Sequence, residues 1–373
     1  EKIYFYGADP IPSNPDALAR AFARYDVYAS MTNPGGENKS LGYKAFFEHN
    51  FDKDDLGSRE SAVKLGGEVE YRVTAKAFPM GLKTYLDFST LKNTREQSIN
   101  TIYIQPFFQF HLGGLKADLS GTAFLNRNKN LVSSMQNEIL PGIELSYNLF
   151  KNSLTIEVGW KGEVYKNNFR NLSSYNPYIS TRLDSINNMI SRKIYGAIKG
   201  ATGKLQYEAS GGYTTFQHMA FFLQDYDKRE QFNPIFDNGS YIGYEGSLKF
   251  QVLKNVFLHA KAWQRFYNLD NEVKPWHRPT IGGDGMLTYS GGDDIYHASI
   301  IVHSENGLPY RTVGGTEKRL DPLIDLNLHG DYYFTTSWGA FAEINNILGN
   351  NREPWYTYPS YGFNAKAGIL FRM

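Results

Sequence analysis

The 373-residue chain contains no cysteine. That absence removes disulfide frameworks, thiolate metal sites and cysteine nucleophiles together. It also lacks any run of 18 or more apolar residues, which excludes a transmembrane helix. Charge of one sign is missing too: 39 basic residues against 38 acidic ones leave a formal net charge of +1. So balanced a composition points to no nucleic-acid partner and no wholesale anionic one. No charged start leading into an apolar stretch follows Glu1, from which the expectation is that any secretory signal has already been removed.

What the chain has in excess is rings, 27 Tyr and 25 Phe. Amphipathic rings settle at the two edges of a bilayer and form girdles around membrane barrels. The order of residues says the same. Leu115, Ala117, Leu119, Gly121, Ala123 and Leu125 share one phase, while Lys116, Asp118, Ser120, Thr122, Phe124 and Asn126 share the other. Such a strand has one face for an apolar medium and one for water. Only helices and closed barrels satisfy every backbone hydrogen bond in lipid, so a membrane-spanning reading requires a closed barrel.

The alternation recurs along the chain. A strand over Val63–Ala77 is expected to close at Phe78-Pro79-Met80-Gly81, and Ile102–Phe110 turns at His111-Leu112-Gly113-Gly114 into the strand described above. Further hairpins are expected around Lys151-Asn152, Thr202-Gly203, Lys254-Asn255 and Gly291-Gly292, with Ile324–Phe334 paired to Trp338–Ile344 and then Phe363–Met373. Longer polar connections fall at Lys166–Ile190, Leu223–Ser240, Asn268–Thr280, His303–Leu320 and Gly349–Ser360. Short turns on one side and long loops on the other place the long loops outside the cell. Within Lys166–Ile190 the stretch Thr181–Met189 reads as a short helix, and this loop is the candidate for folding inward. Adding Tyr25–Met31 and Gly42–Phe51 gives roughly 16 to 18 strands, a size that holds an aqueous lumen or needs a plug. An odd count of about 17 is unusual for a bacterial barrel. Either Lys2–Tyr6 supplies another strand, or Tyr25–Met31 is not one, with Ser13-Asn14-Pro15-Asp16 before Ala17–Phe22 able to start a helix, or the chain is part of a longer barrel.

The water-facing phase carries Lys64, Glu68, Glu70, Arg72, Lys116, Asp118, Glu144, Glu157, Lys161, Glu208, Glu245, Lys249, Lys261 and Asp325, with His259 and His329 among them. Mixed signs on one wall suggest cross-strand ion pairs, which either mark a path for a polar solute or solvate and stiffen the interior. Trp160, Trp338, Tyr332, Phe334 and Phe371 are expected at the membrane interfaces, and Trp276 and Trp355 either there or stacking on a ligand. Asp284, Asp293 and Asp294, and Asp225, Asp227 and Asp237, form oxygen-rich groups without calcium-loop spacing, so no metal and no cofactor is expected. His297 and His303 share a phase beside Ser304, but no nucleophile motif accompanies them and enzymatic activity is not expected.

The C-terminal region is the most motif-like. Phe341-Ala342-Glu343-Ile344-Asn345-Asn346-Ile347-Leu348-Gly349-Asn350 precedes Trp355-Tyr356-Thr357-Tyr358-Pro359-Ser360-Tyr361-Gly362-Phe363, and Phe363, Ala365, Ala367, Ile369, Phe371 and Met373 then share the outer phase of a closing strand. This resembles the end of TonB-dependent receptors, and Tyr175-Asn176-Pro177-Tyr178-Ile179-Ser180 resembles receptor-like barrels of the Bacteroidota. The resemblance implies uptake of a bound ligand through a barrel blocked by an N-terminal plug, although no plug and no TonB-interacting box is recognisable here. The expectation is therefore an all-β transmembrane antiparallel barrel in the bacterial outer membrane, residues 17–373, with residues 1–16 as a periplasmic or lumen-resting extension. Its function is expected to be receptor- or porin-like passage of a small polar solute, or alternatively that of a non-conducting accessory subunit. The expected partners are outer-membrane lipid and other outer-membrane or periplasmic proteins.

Overall fold

The computed structural model describes residues 2–4, 19–33, 41–72, 78–129, 134–150, 153–183, 186–292, 295–350 and 352–372. Among these, eighteen strands belong to one sheet. Its fold is the antiparallel transmembrane β-barrel that the alternation requires. The strands are β1 (Lys2–Tyr4), β2 (Ala19–Asn33), β3 (Leu41–Asp54), β4 (Arg59–Arg72), β5 (Pro79–Lys92), β6 (Glu96–Leu112), β7 (Leu115–Lys129), β8 (Ser134–Leu149), β9 (Leu154–Tyr165), β10 (Met189–Thr202), β11 (Leu205–Gln224), β12 (Phe232–Leu253), β13 (Val256–Leu269), β14 (Ile281–Gly291) and β15 (Tyr296–Asn306). After a separate small hairpin, β16 (Pro309–Arg311) and β17 (Glu317–Arg319), come β18 (Leu323–Tyr333), β19 (Trp338–Asn345) and β20 (Asn364–Phe371). One helix, α1 (Phe169–Tyr175), follows β9.

The chain divides into two compact units. The first comprises Glu1–Tyr147, Glu157–Tyr195 and Thr214–Ser240; the second comprises Asn148–Ile156, Gly196–Tyr213 and Tyr241–Met373. In the first, each strand from β1 to β8 pairs antiparallel with the next. In the second, β13, β14, β15, β18, β19 and β20 form an equivalent series. The period of two decides what each strand shows to which side. On β5, Leu82, Leu86 and Phe88 are exposed on the outer face, whereas Asp87, Ser89 and Leu91 are buried on the inner one. Between β6 and β7 only Gly113-Gly114 remain, and Leu112 pairs directly with Leu115. Gly113 has φ +59°, the left-handed conformation that a two-residue hairpin needs and glycine adopts without strain.

Several boundaries differ from the sequence reading. Pro79, Met80 and Gly81 are not a turn; they pair with Arg72, Tyr71 and Glu70 as the start of β5, while residues 73–77 lie outside the described set. The helix considered at Ala17–Phe22 is strand from Ala19 onward, because Ala19–Ala21 are held by β1. Lys2–Tyr4 thus adds a strand within the expected extension, and residues 5–18 are outside the described set. Leu223–Ser240 is not a loop; β11 and β12 extend through most of it, reaching 20 and 22 residues. His303–Leu320 begins as β15 and then folds into the β16–β17 hairpin.

Candidate functional site

The inner wall of the first unit is covered by its own chain. Residues 166–183 and 186–188 fold inward, and the helix lies at 169–175 rather than at Thr181–Met189, whose described residues are not helical. The reason is local. Asn168 caps the helix, its side chain accepting from the Asn171 N–H at 3.1 Å, whereas the Ser180 hydroxyl ahead of Thr181 accepts from the Arg182 N–H at 3.1 Å and closes only a turn. A wall residue completes the cap: the Glu60 carboxylate accepts from the Phe169 N–H (2.7 Å) and from Asn168 Nδ2 (2.5 Å). Negative charge at a helix start is favourable, since the first N–H groups have no partner within the helix.

The covering segment, here called the lid, carries its own apolar core. Phe169, Leu172, Ile179, Leu183 and Ile186 are buried. The tip formed by the ends of β11 and β12 adds Phe216, Met219, Phe221, Phe222 and Phe232, all buried as well. Tyr175 stacks on Phe222 with ring centroids 5.5 Å apart. A parallel bridge joins Ile179 to Phe232, with the Ser180 N–H donating to the Phe232 carbonyl (2.7 Å) and the Phe232 N–H to the Tyr178 carbonyl (2.9 Å). Each such side chain contributes about 1.5–3 kcal/mol when buried, so this is a packed element and not a solvated loop. Four successive buried residues, Met219–Phe222, were the available signal, because a strand with one wet face does not carry them.

Ions fasten the lid to the wall. Arg20 is fully buried on β2, where its guanidinium meets Asp54 at 2.5 Å and donates to the carbonyls of Pro177 (3.1 Å) and Ile179 (2.5 Å). Arg170 reaches Asp26 (2.5 Å) and Asp52 (3.2 Å), Arg24 reaches Ser173 (3.0 Å), and Lys166 reaches Asp87 (2.6 Å). The hydrogen bond to Asp26 raises the Arg170 pKa, so this cation remains charged. Gln97 donates to the Leu183 carbonyl, and Asn167 donates to the carbonyls of Asn187 (2.9 Å) and His218 (2.7 Å). His218 has φ +55°, a left-handed conformation that costs a non-glycine residue about 1–3 kcal/mol and is held by the Asn238 side chain accepting its N–H at 3.0 Å.

A cavity of about 850 Å³ lies elsewhere on the same wall. Of the charges read as water-facing, Glu68, Glu70, Asp118, Glu144 and Lys161 line it. Arg72 pairs with Glu70 (2.6 Å), Lys116 with Asp118 (2.5 Å), Lys83 with Glu68 (3.6 Å) and Lys161 with Glu144. The Tyr195 hydroxyl lies between Glu144 (2.6 Å) and Glu157 (3.0 Å) with one proton to donate to either, and Lys64 lies 4.2 Å from the Tyr85 ring centre.

In the second unit the structure places Glu245 against Lys261 (3.1 Å), Asp325 against Arg352, and His329 between Asp331 (3.0 Å) and Glu343 (3.5 Å). Glu208 and Lys249 are exposed, and His259 is half-buried. Among the expected interface aromatics, Trp160, Trp338, Tyr332, Phe334 and Phe371 are all exposed, with Trp338 packed on Phe371 at 4.8 Å. Trp276 and Trp355 are instead buried, because they knit loops together: Trp276 donates to Glu272 (2.7 Å) and Trp355 stacks on His277 (5.1 Å). They are neither girdle nor exposed ligand platform. His303 meets Asp284 at 2.6 Å, but Ser304 follows it on the strand and faces the other side, so the two share no site. Asp225 is occupied by the N–H groups of Asp227 and Lys228 and by Asn233, Asp227 pairs with Arg182, and Asp293 and Asp294 lie outside the described residues. Among the described residues no group of three His, Asp or Glu side chains is placed to hold a metal.

No family model and no curated protein matches the chain. Solved structures do. The copper transporter OprC superposes with a TM-score of 0.67 at 13% identity, covering 95% of this chain and 66% of that one. The fold is that of an outer-membrane receptor barrel. The FrpB iron transporter from Neisseria meningitidis (F3-3 variant) gives 0.71 at 8% identity over 95% and 63%, and the pyoverdine receptor FpvA from Pseudomonas aeruginosa PAO1 gives 0.70 at 11% over 95% and 62%. The chain spans slightly less than two thirds of the length of the structures it resembles.

Proposed function

We propose that this chain is the barrel part of an outer-membrane uptake receptor for a small polar solute, with the lid as its internal gate. The observation that carries the reading is a packed, ion-fastened segment covering an inner wall that also bears a polar cavity. A porin that is permanently open has no use for a buried arginine holding two lid carbonyls. The closing stretch from Phe341 to Phe363, which resembles the end of TonB-dependent receptors, favours in this reading a TonB-dependent relative of the Bacteroidota type over a general diffusion pore. The charged residues from Lys64 to Asp325 named above act in this reading as the wetted wall.

The test is ion conductance in planar lipid bilayers, comparing the full chain with a variant in which residues 167–188 are replaced by a short Gly-Ser linker. Stepwise conductance that rises sharply on replacing the lid is the expected result. A folded variant that remains silent overturns the gate and favours an accessory, non-conducting subunit.

A further inference from the structure

The strand ends that hold the lid also have an outer face, and there the charges change sign. On the inner face Asp52, Asp54 and Glu60 are buried and take up Arg170, Arg20 and the start of α1. The period of two turns their neighbours Lys53 and Arg59 to the other face, where both are exposed. In the ladder Lys53 stands opposite Arg59 on β4, and Arg59 stands opposite Lys92 on β5. Three cations thus lie side by side across three strands, about 10 Å from end to end.

Like charges directly opposite one another destabilise a ladder, so a row of three requires a counter-charge. This chain supplies little of it. Lys92 meets Glu96 at 3.3 Å in an exposed pair that water and salt weaken, and Asp55, on the turn after β3, acts on Arg20. Among the described residues no carboxylate forms an ion pair with Lys53 or Arg59. Further along the same outer face the surface turns apolar. Phe88 and Leu86 lie in the phase of Lys92, Leu65 lies in the phase of Arg59, and all three are exposed. The cations therefore stand at the edge of the lipid-facing band, at the end where the lid is fastened. The long connections mark that end as the outer one.

We infer that Lys53, Arg59 and Lys92 bind the headgroup of an outer-leaflet lipid that carries phosphate monoesters, with its acyl chains lying on the apolar band beside them. A phosphate monoester carries close to two negative charges at neutral pH and three strong acceptor oxygens, enough to sit between these cations and cancel their repulsion. Arg59, in the middle of the row, presents a planar fork that holds two phosphate oxygens at once, while the flanking lysines act as point charges. A phosphodiester headgroup brings only one charge, and a free phosphate brings no chains for Phe88 and Leu65 to meet. The inference goes beyond uptake, since it concerns the lipid-facing surface and holds whether or not the lid is a gate.

The test is native mass spectrometry of the purified full chain in a non-ionic detergent, with three probes: lipid A bearing both phosphates, lipid A stripped of them, and inorganic phosphate. Expected is retention of intact lipid A, with retention of the stripped lipid about tenfold weaker, and loss of the difference as salt rises. Lys53→Gln/Arg59→Gln/Lys92→Gln should weaken binding of intact lipid A by about tenfold or more. Lys53→Arg/Lys92→Arg should retain it, as should Lys204→Gln/Lys254→Gln, which removes two exposed turn lysines of the second unit. Without lipid the triple glutamine variant should unfold at the native temperature or above, because the like charges no longer oppose one another. Equal binding of the two lipids overturns the inference, and so does full binding by the triple variant. Inorganic phosphate that displaces lipid A at equal concentration reduces the row to a free-anion site and overturns the lipid. A triple variant that unfolds earlier in the absence of lipid shows that the cations serve the fold itself, and overturns it as well.

Discussion

Arg20→Met isolates the fastening of the lid. In the native protein the guanidinium is fully buried, shares Asp54 through two nitrogens at 2.5 and 3.1 Å, and donates to the Pro177 and Ile179 carbonyls. Methionine fills similar space but leaves a buried carboxylate without its cation. Removing one member of a buried pair costs about 3–5 kcal/mol, most of it from the charge left behind. The barrel strands are held by their own ladders, so the cost falls on local opening of the lid. Backbone amides at 179–183 should then exchange with deuterium about 150- to 5,000-fold faster, the Ser180 N–H, which donates to the Phe232 carbonyl, among them. Adding Asp54→Asn removes the orphaned charge while keeping an acceptor for the Ser58 N–H at 2.7 Å, and should restore most of the protection. Hydrogen exchange followed by mass spectrometry reads both. Native protection in Arg20→Met, with the substitution verified, would refute the fastening, and a double variant as exposed as the single one would refute its electrostatic origin.

Asn168→Ala removes the α1 cap and the bond to Glu60 together, and should cost the lid about 1–2 kcal/mol, seen as faster exchange over 169–175 with the strands unchanged. Gly282→Ala in the second unit sets a Cβ 2.6 Å from Trp263 Cζ2 and should lift that indole off the wall, shifting its fluorescence relative to a Trp263→Phe control; an unchanged spectrum would contradict the close approach. Trp276→Ala empties a fully buried site and should cost about 3–5 kcal/mol within the loop cluster, measured as new tryptic cleavage after Arg311, whose guanidinium lies 5.3 Å from the Trp276 ring centre. Lipids brominated near the headgroup should quench Trp338 more strongly than Trp276, and equal quenching would argue against an interfacial Trp338.

The barrel was legible because its rule is local: lipid and water lie on opposite faces of every strand, so the pattern of Leu115–Asn126 carries its own proof. The short hairpins were legible for the same reason, with Gly113-Gly114 and Lys254-Asn255 supplying the turns. The lid was only half visible. Residues 166–190 stood out by length, but Phe169 and Ile179 find their partners on Glu60, Arg20 and Phe232, none of which is near in sequence. Non-local pairing leaves no periodicity to read. Trp276 and Trp355 misled for a related reason, since a tryptophan between strands looks alike whether it anchors in lipid or locks two loops.

The bridge between Ile179 and Phe232 also sets an order of assembly. Residues 166–188 leave the biosynthetic machinery before β12 does, so their apolar side chains have no home until more than forty further residues have been laid down. The interior of the first unit therefore passes through a stage in which Phe169, Leu172 and Ile179 face water. Closure is thus a contact of high sequence separation, one that rewards the chain only after the local hairpins have formed.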